Sequence, residues 1–314
     1  MTNIGTIEIQ DLFVGSINAV GLYFGSEKVW GKSEPTAAPW LCFTAEEVNS
    51  TVALSAVGSA PTVSLECSTD GSTWSPFVVG TTTVTLAKIG DRVYVRATSA
   101  GNTGMATSDS NYNKFVMTGK IAASGNVETL LDQNGSATLA NYCYDYLFYL
   151  CSSLTTAPEL PATTLANNCY RNMFNGCSSL TTAPILPATT LNEGCYQNMF
   201  QSCSSLTSAP ALPATTLAYN CYNGMFRSCS SLTSVPVLPA TTLAKYCYGN
   251  LFRDCRKLNT ITLGYTGNFA DIPSGAFNSW VSGVASSGTF YYNGSDTTRG
   301  VSAIPNNWTI TPFS

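Results

Sequence analysis

The chain has 314 residues, room for two or three domains. An apolar fraction of 44% supports a substantial core and argues against general disorder, while only 10% of residues are charged, leaving Thr, Ser and Asn to wet the surface. A net charge of −4 offers no basic footprint for nucleic acid, and the absence of histidine removes His general bases, Ser–His and Cys–His pairs and His-containing metal sites. The opening MTNIGTIEIQDLFVG has no basic start followed by a continuous apolar stretch, so folding in a cytoplasm is expected. No run of 18 apolar residues occurs, so no membrane insertion is expected.

Residues 1–34 contain Ile7-Glu-Ile and the run from Val20 to Trp30, which reads as a small hairpin turning at Gly25-Ser26. A piece this small carries no core of its own. It needs a neighbour or a partner, and is read as a docking segment. The stretch SEPTAAP at residues 33–39 reads as a linker.

Residues 35–118 alternate apolar and polar in short runs around Val63, Thr83 and Arg92. Gly- and Asp-rich turns at residues 58–61, 69–72, 88–91 and 101–104 separate them. Short strands at this spacing predict an immunoglobulin-like β-sandwich. Cys42 and Cys67 are an inter-sheet pair or two free thiols, and free thiols suit a cytoplasm. Residues 115–131 lead into the next region and are expected to cap it.

Residues 119–263 contain an exact internal repeat. LANYCYDYLFYLCSSLTTAPELPATT starts at Leu139, and copies follow at Leu165, Leu191 and Leu217, with a degraded fifth at Leu243. The period is 26 without slippage. Cys143, Cys169, Cys195, Cys221 and Cys247 form one ladder, and Cys151, Cys177, Cys203, Cys229 and Cys255 a second. Leu154 and Phe148 head two more. A position that is apolar in every copy stacks on itself in the next rung. Within a unit Cys143, Leu147 and Cys151 are spaced i, i+4, i+8, which predicts a short helix, with Thr164 a candidate cap for the next one. Leu-Thr-Thr-Ala, stopped by Pro158, predicts a short strand. Helix on one side and strand on the other is the leucine-rich-repeat plan: an α/β solenoid of five units.

The ten periodic cysteines are read as small buried hydrophobes. Two cysteines eight apart on a helix are about 12 Å apart by rise, too far to bridge. A C-x7-C spacing also suits zinc poorly. No cofactor is expected. Residues 264–314 lose the period. They show a helical stripe at Phe277, Trp280, Val281 and Val284 and short strands at Thr289–Tyr292 and residues 308–310. They read as a C-terminal cap. The alternative is a carbohydrate platform made by Trp280, Phe290, Tyr291, Tyr292 and Trp308.

The unit C-Y-x-x-[ML]-F-x-x-C-S-S-L-T-[TS]-[AV]-P-x-L-P-A-T-T resembles the BspA-like leucine-rich-repeat surface proteins of gut Bacteroidetes (Bacteroides among them) and their bacteriophages, over residues 115–314. That resemblance implies adhesion and binding of a protein or glycan, with no known enzymatic activity. Residues 12–30 look like the opening strands of phage tail and virion proteins. Together these predict a virion protein (tail, fibre or capsid decoration) assembled in a host cytoplasm. Residues 1–34 would meet other virion structural proteins and the solenoid would meet the host surface. A homo-oligomer, for example a trimer, fits such a setting. The alternative is a bacterial cell-surface adhesin. A glycan-degrading enzyme is a third reading, but Asp145, Glu159, Glu193 and Asp254 are unrepeated and unpaired in the sequence.

Candidate ligand-binding residues are those that vary between rungs or line one face. The hydroxyl ladder Thr156, Thr182, Ser208 and Ser234 could border the strands or simply be a solvated sheet. Glu159, Tyr219 and Lys245 are candidates because the rungs differ there.

Overall fold

The structure is a computed structural model that describes residues 22–24, 27–30 and 40–313. The chain divides into two units, residues 1–39 and 40–314. In the first, β1 (Leu22–Phe24) pairs antiparallel with β2 (Glu27–Trp30), the expected hairpin. Its turn at Gly25-Ser26, the expected strand at Ile7-Glu-Ile and the linker at 33–39 lie outside the described residues.

The second unit opens with two facing sheets. β3 (Leu41–Ala45), β5 (Leu65–Ser68), β6 (Ser75–Pro76), β8 (Arg92–Ala97) and β11 (Ile121–Ser124) belong to one. β4 (Ser50–Val57), β7 (Thr83–Leu86), β9 (Ala106–Ser108) and β10 (Asn111–Thr118) form the other, in the order β7-β4-β10-β9. Alternation explains the layers: Val93, Val95 and Ala97 of β8 are buried while the residues between them are not. Phe43 of β3 meets Phe115 of β10 edge-on, ring centres 4.8 Å apart, and joins the layers.

Both sheets run on into the repeats. β11 pairs in parallel with β12 (Leu154–Thr156), so the first sheet has six strands in the order β12-β11-β3-β8-β5-β6. On the other side, the Met105 and Phe115 N–H groups donate to the Cys143 and Leu147 carbonyls at 2.6 and 2.8 Å. A single 3-10 turn, Val127–Leu130, follows β11 and is capped by the Asn126 side chain. The region around residues 115–131 therefore does cover the first rung.

The expected helices are absent: the described residues contain no α-helix, and the solenoid is a β-type coil rather than an α/β one. In their place each rung has a run of overlapping turns. In the second rung, N–H groups of Cys169, Arg171, Met173, Asn175 and Cys177 each donate three residues back, at 3.0–3.4 Å. The alternate N–H groups, from Asn168 to Gly176, donate to residues 193–201 of the next rung at 2.8–3.0 Å. Every second turn needs a positive φ at its third position, as type II turns do. Asn168, Asn172 and Gly176 supply it, with φ of 56°, 53° and 80°. This pattern repeats every four residues, so it places Cys143, Leu147 and Cys151 on one side just as a helix would. With no helix to begin, Thr164 caps nothing and instead bridges Thr190 of the next rung.

The interior is a set of aromatic columns. Phe115, Phe148, Phe174, Phe200, Phe226 and Phe252 stack with centre spacings from 5.2 to 6.0 Å, ending on Trp280. Tyr144, Tyr170, Tyr196, Tyr222 and Tyr248 form a second column that ends on Phe277. Burying one such phenylalanine ring contributes roughly 1.5–3 kcal/mol, whereas Tyr170, Tyr222 and Tyr248 gain less because their buried hydroxyls have no hydrogen-bond partner.

The C-terminal segment continues this coil. Tyr248, Asn250, Phe252 and Asp254 donate to the carbonyls of Ala276, Asn278, Trp280 and Ser282 at 2.7–2.9 Å, so the expected helical stripe is another rung of turns. β13 (Thr260–Leu263), β14 (Thr289–Tyr292) and β15 (Thr309–Thr311) form a parallel three-stranded sheet.

Candidate binding surfaces

The strand line of the coil carries the hydroxyl ladder. Thr156 bridges Thr182, and Ser208 bridges Ser234, in parallel register. Thr182, Ser208 and Ser234 are exposed, whereas Thr156 is half-buried and donates to the Ala123 carbonyl at 2.9 Å. Neighbouring hydroxyls brace the coil: Thr181 and Thr233 each donate to the carbonyl of the rung before, at 3.3 and 3.2 Å. This face is partly structural.

Glu159 lies elsewhere. Its backbone bonds to Gly125 and Val127, and its side chain is exposed on the proline-rich edge of the rungs. There Pro158, Pro161, Pro184, Ile185 and Pro187 border a shallow depression of about 330 Å3. Ile185 is 82% exposed. Tyr219 and Lys245 occupy equivalent places in successive rungs and do come together: Tyr219 meets Tyr246 edge-on at 6.0 Å, and the Lys245 ammonium lies 5.4 Å from the same ring. Among the described residues no hydrogen bond, ion pair or ring contact joins these three groups into one site.

The ten ladder cysteines are all buried with free thiols, and no cluster of potential metal ligands occurs among the described residues. Burial raises every one of these thiols, Cys151 and Cys255 to about 12, which suppresses the thiolate needed for ligation or attack. Cys42 is buried and Cys67 half-buried, both free. Of the aromatic cluster at the C-terminal end, Trp280, Phe290, Tyr292 and Trp308 are buried and Tyr291 is half-buried, so the five rings present no common platform to a sugar.

The first rung carries a further surface of large side chains. Tyr142, Tyr146 and Leu150 occupy its three positive-φ positions, at 63°, 62° and 61°. Tyr146 stacks on Tyr112 of β10 at 4.5 Å and meets Tyr149 edge-on at 4.9 Å. Lys114 approaches the Tyr149 ring at 5.4 Å, and Arg171 the Tyr142 ring at 5.2 Å. Beneath them Asp145, fully buried, accepts two hydrogen bonds from Arg171 through Oδ2, at 2.7 and 3.0 Å. Burial outweighs that pairing and raises the Asp145 carboxyl to about 7.

Residues 141–282 match the family model of the BspA-type leucine-rich repeat region, in six copies. This stretch is a BspA-type leucine-rich-repeat region. No curated protein and no solved structure matches the chain. The match runs past the five units counted in the sequence and takes in part of the supposed cap. The BspA-type coil continues there without the cysteines that made the earlier copies legible.

Proposed function

We propose that this chain is a non-enzymatic adhesion protein carried on a phage virion. In this reading residues 1–34 dock on other virion proteins, an immunoglobulin-like two-sheet unit forms the base, and the BspA-type coil presents a surface to a protein or glycan of the host cell. The observation that carries the adhesion reading is the BspA-type repeat itself, a stiff frame whose outward side chains differ from rung to rung. The acids Asp145, Glu159, Glu193 and Asp254 stand at four different places of the rung, which supports binding without catalysis. The likeness of residues 12–30 to virion proteins supports placement on a particle.

Mass spectrometry of purified particles tests the placement: the chain is expected in them, and a chain lacking residues 1–34 is expected to be left out. Full incorporation of the shortened chain refutes the docking role. A bacterial cell-surface adhesin is the second reading, favoured by the family match alone. Finding the chain in the envelope fraction of uninfected cells and not in particles would select it.

A further inference from the structure

The geometry points to the first rung's tyrosine surface as a binding site for an uncharged carbohydrate, formed where the coil meets the two-sheet unit. This rests on the adhesion reading and names its site and ligand class. In the later rungs the positions of Tyr142 and Tyr146 are held mostly by Asn and Gly, which tolerate a left-handed backbone, with a tyrosine returning at Tyr246, and that of Leu150 by Gly, Ser and Asp. Bulky side chains there oppose the local preference, and such positions concentrate at functional sites.

Packing accounts for them only in part, Leu150 lying over Gly176 of the next rung. Tyr146 is held by Tyr112, but Tyr142 and Tyr149 are only half-buried and Leu150 is 56% exposed. A tyrosine offers an apolar ring face and a polar rim, which suits the alternating C–H and hydroxyl faces of a sugar ring. Charge is nearly balanced: Arg171 is bound by Asp145 and lies 3.8 Å from Asp109, leaving Lys114 as the cation beside Tyr149. Recognition then falls on ring faces and neutral polar groups, hence an uncharged ligand.

The test gives the first rung the residues of the second: Tyr142→Asn, Tyr149→Asn and Leu150→Gly together, in the full chain. The wild-type chain and this variant are titrated with neutral mannan, galactan and β-glucan fragments, and both are assayed for binding to host cells. The wild type is expected to bind at least one fragment with little dependence on salt, and the variant to lose roughly ten-fold or more in affinity while its melting temperature stays level or rises. A melting temperature that falls with sugar binding unchanged overturns the proposal, because the patch is then junction filler. A wild type that binds none of the fragments overturns it as well. Cell binding retained by the variant sinks this site and leaves adhesion standing, whereas a wild type that ignores cells sinks the adhesion reading itself. Loss of cell binding after protease treatment of the cells, with no competition by sugar, assigns the surface to a protein and refutes the carbohydrate.

Discussion

The Cys177 thiol donates to the Phe148 carbonyl of the preceding rung at 3.1 Å. Cys203, Cys229 and Cys255 repeat this bond to Phe174, Phe200 and Phe226 at 3.0–3.2 Å. The other cysteine ladder has only one long contact of this kind, from Cys143 to the Cys169 carbonyl at 3.9 Å. The two ladders are therefore chemically unequal although both are buried. Cys203→Ser keeps a donor facing a carbonyl and is expected to cost less than about 1 kcal/mol. Cys195→Ser puts a hydroxyl beside backbone groups of Asn192 and Tyr196 but without the preceding-rung carbonyl that Cys203 donates to, and is expected to cost about 1–3 kcal/mol. Thermal unfolding of the two variants beside the wild type measures the difference, and equal losses would contradict it.

Thiol labelling should separate Cys67 from the rest. It is half-buried, while the other eleven cysteines are buried. A thiol reagent is expected to modify Cys67 alone in the native chain, slowly because burial raises its pKa, and all twelve after denaturation. Rapid native labelling of the ladder would mean an open coil.

The positive-φ positions should be more demanding than the exposed threonines. Gly224 has φ 63°, and a Cβ there would fall 2.2 Å from the Asn198 side-chain oxygen. Gly224→Val is expected to cost about 2 kcal/mol or more. Asn198→Gly, at φ 55°, is expected to change stability by less than about 1 kcal/mol, and Thr207→Ser on the strand line by less still. Melting temperatures that reversed this order would refute the turn-based account of the coil.

Asp145 makes the junction sensitive to pH. Its carboxyl titrates near 7 in the folded chain against an ordinary value of 3.8, so the native state holds this proton more tightly than the unfolded one. Its contribution to stability is complete below about pH 4, declines as the pH rises through the interval, and levels off above 7. Comparing wild type with Asp145→Asn across pH 4 to 8 should show the wild type losing ground as the pH rises. Parallel profiles would mean the group does not titrate in that window.

The sequence made the stacked columns legible because each one repeats the same residue at one interval. It left the shape of the rung ambiguous. A helix and a chain of alternating turns both return a side chain to the same face every four residues, and Cys143, Leu147 and Cys151 satisfy either. The distinguishing signal lay in the unremarkable polar positions. Asn168, Asn172 and Gly176, then Gly194, Asn198 and Ser202, fall on the beat where a left-handed backbone is needed. The last BspA-type copy escaped notice because its interior changes to Phe277 and Trp280 and its spacing stretches. Tyr146, Tyr149 and Leu150 of the first rung were less legible for the opposite reason: against a strong repeat, departures at one end look like decay.

The unbroken sheet from β6 to β12 gives the coil a fixed origin. Its first rung is laid against a finished edge, and each later rung meets a surface nearly identical to the one before. Excising residues 165–190 would thus bring together two seams that already match, and duplicating them would do the same. Inheritance can lengthen or shorten this protein in whole increments without redesigning either end, so its reach is free to drift while its foundation stays put.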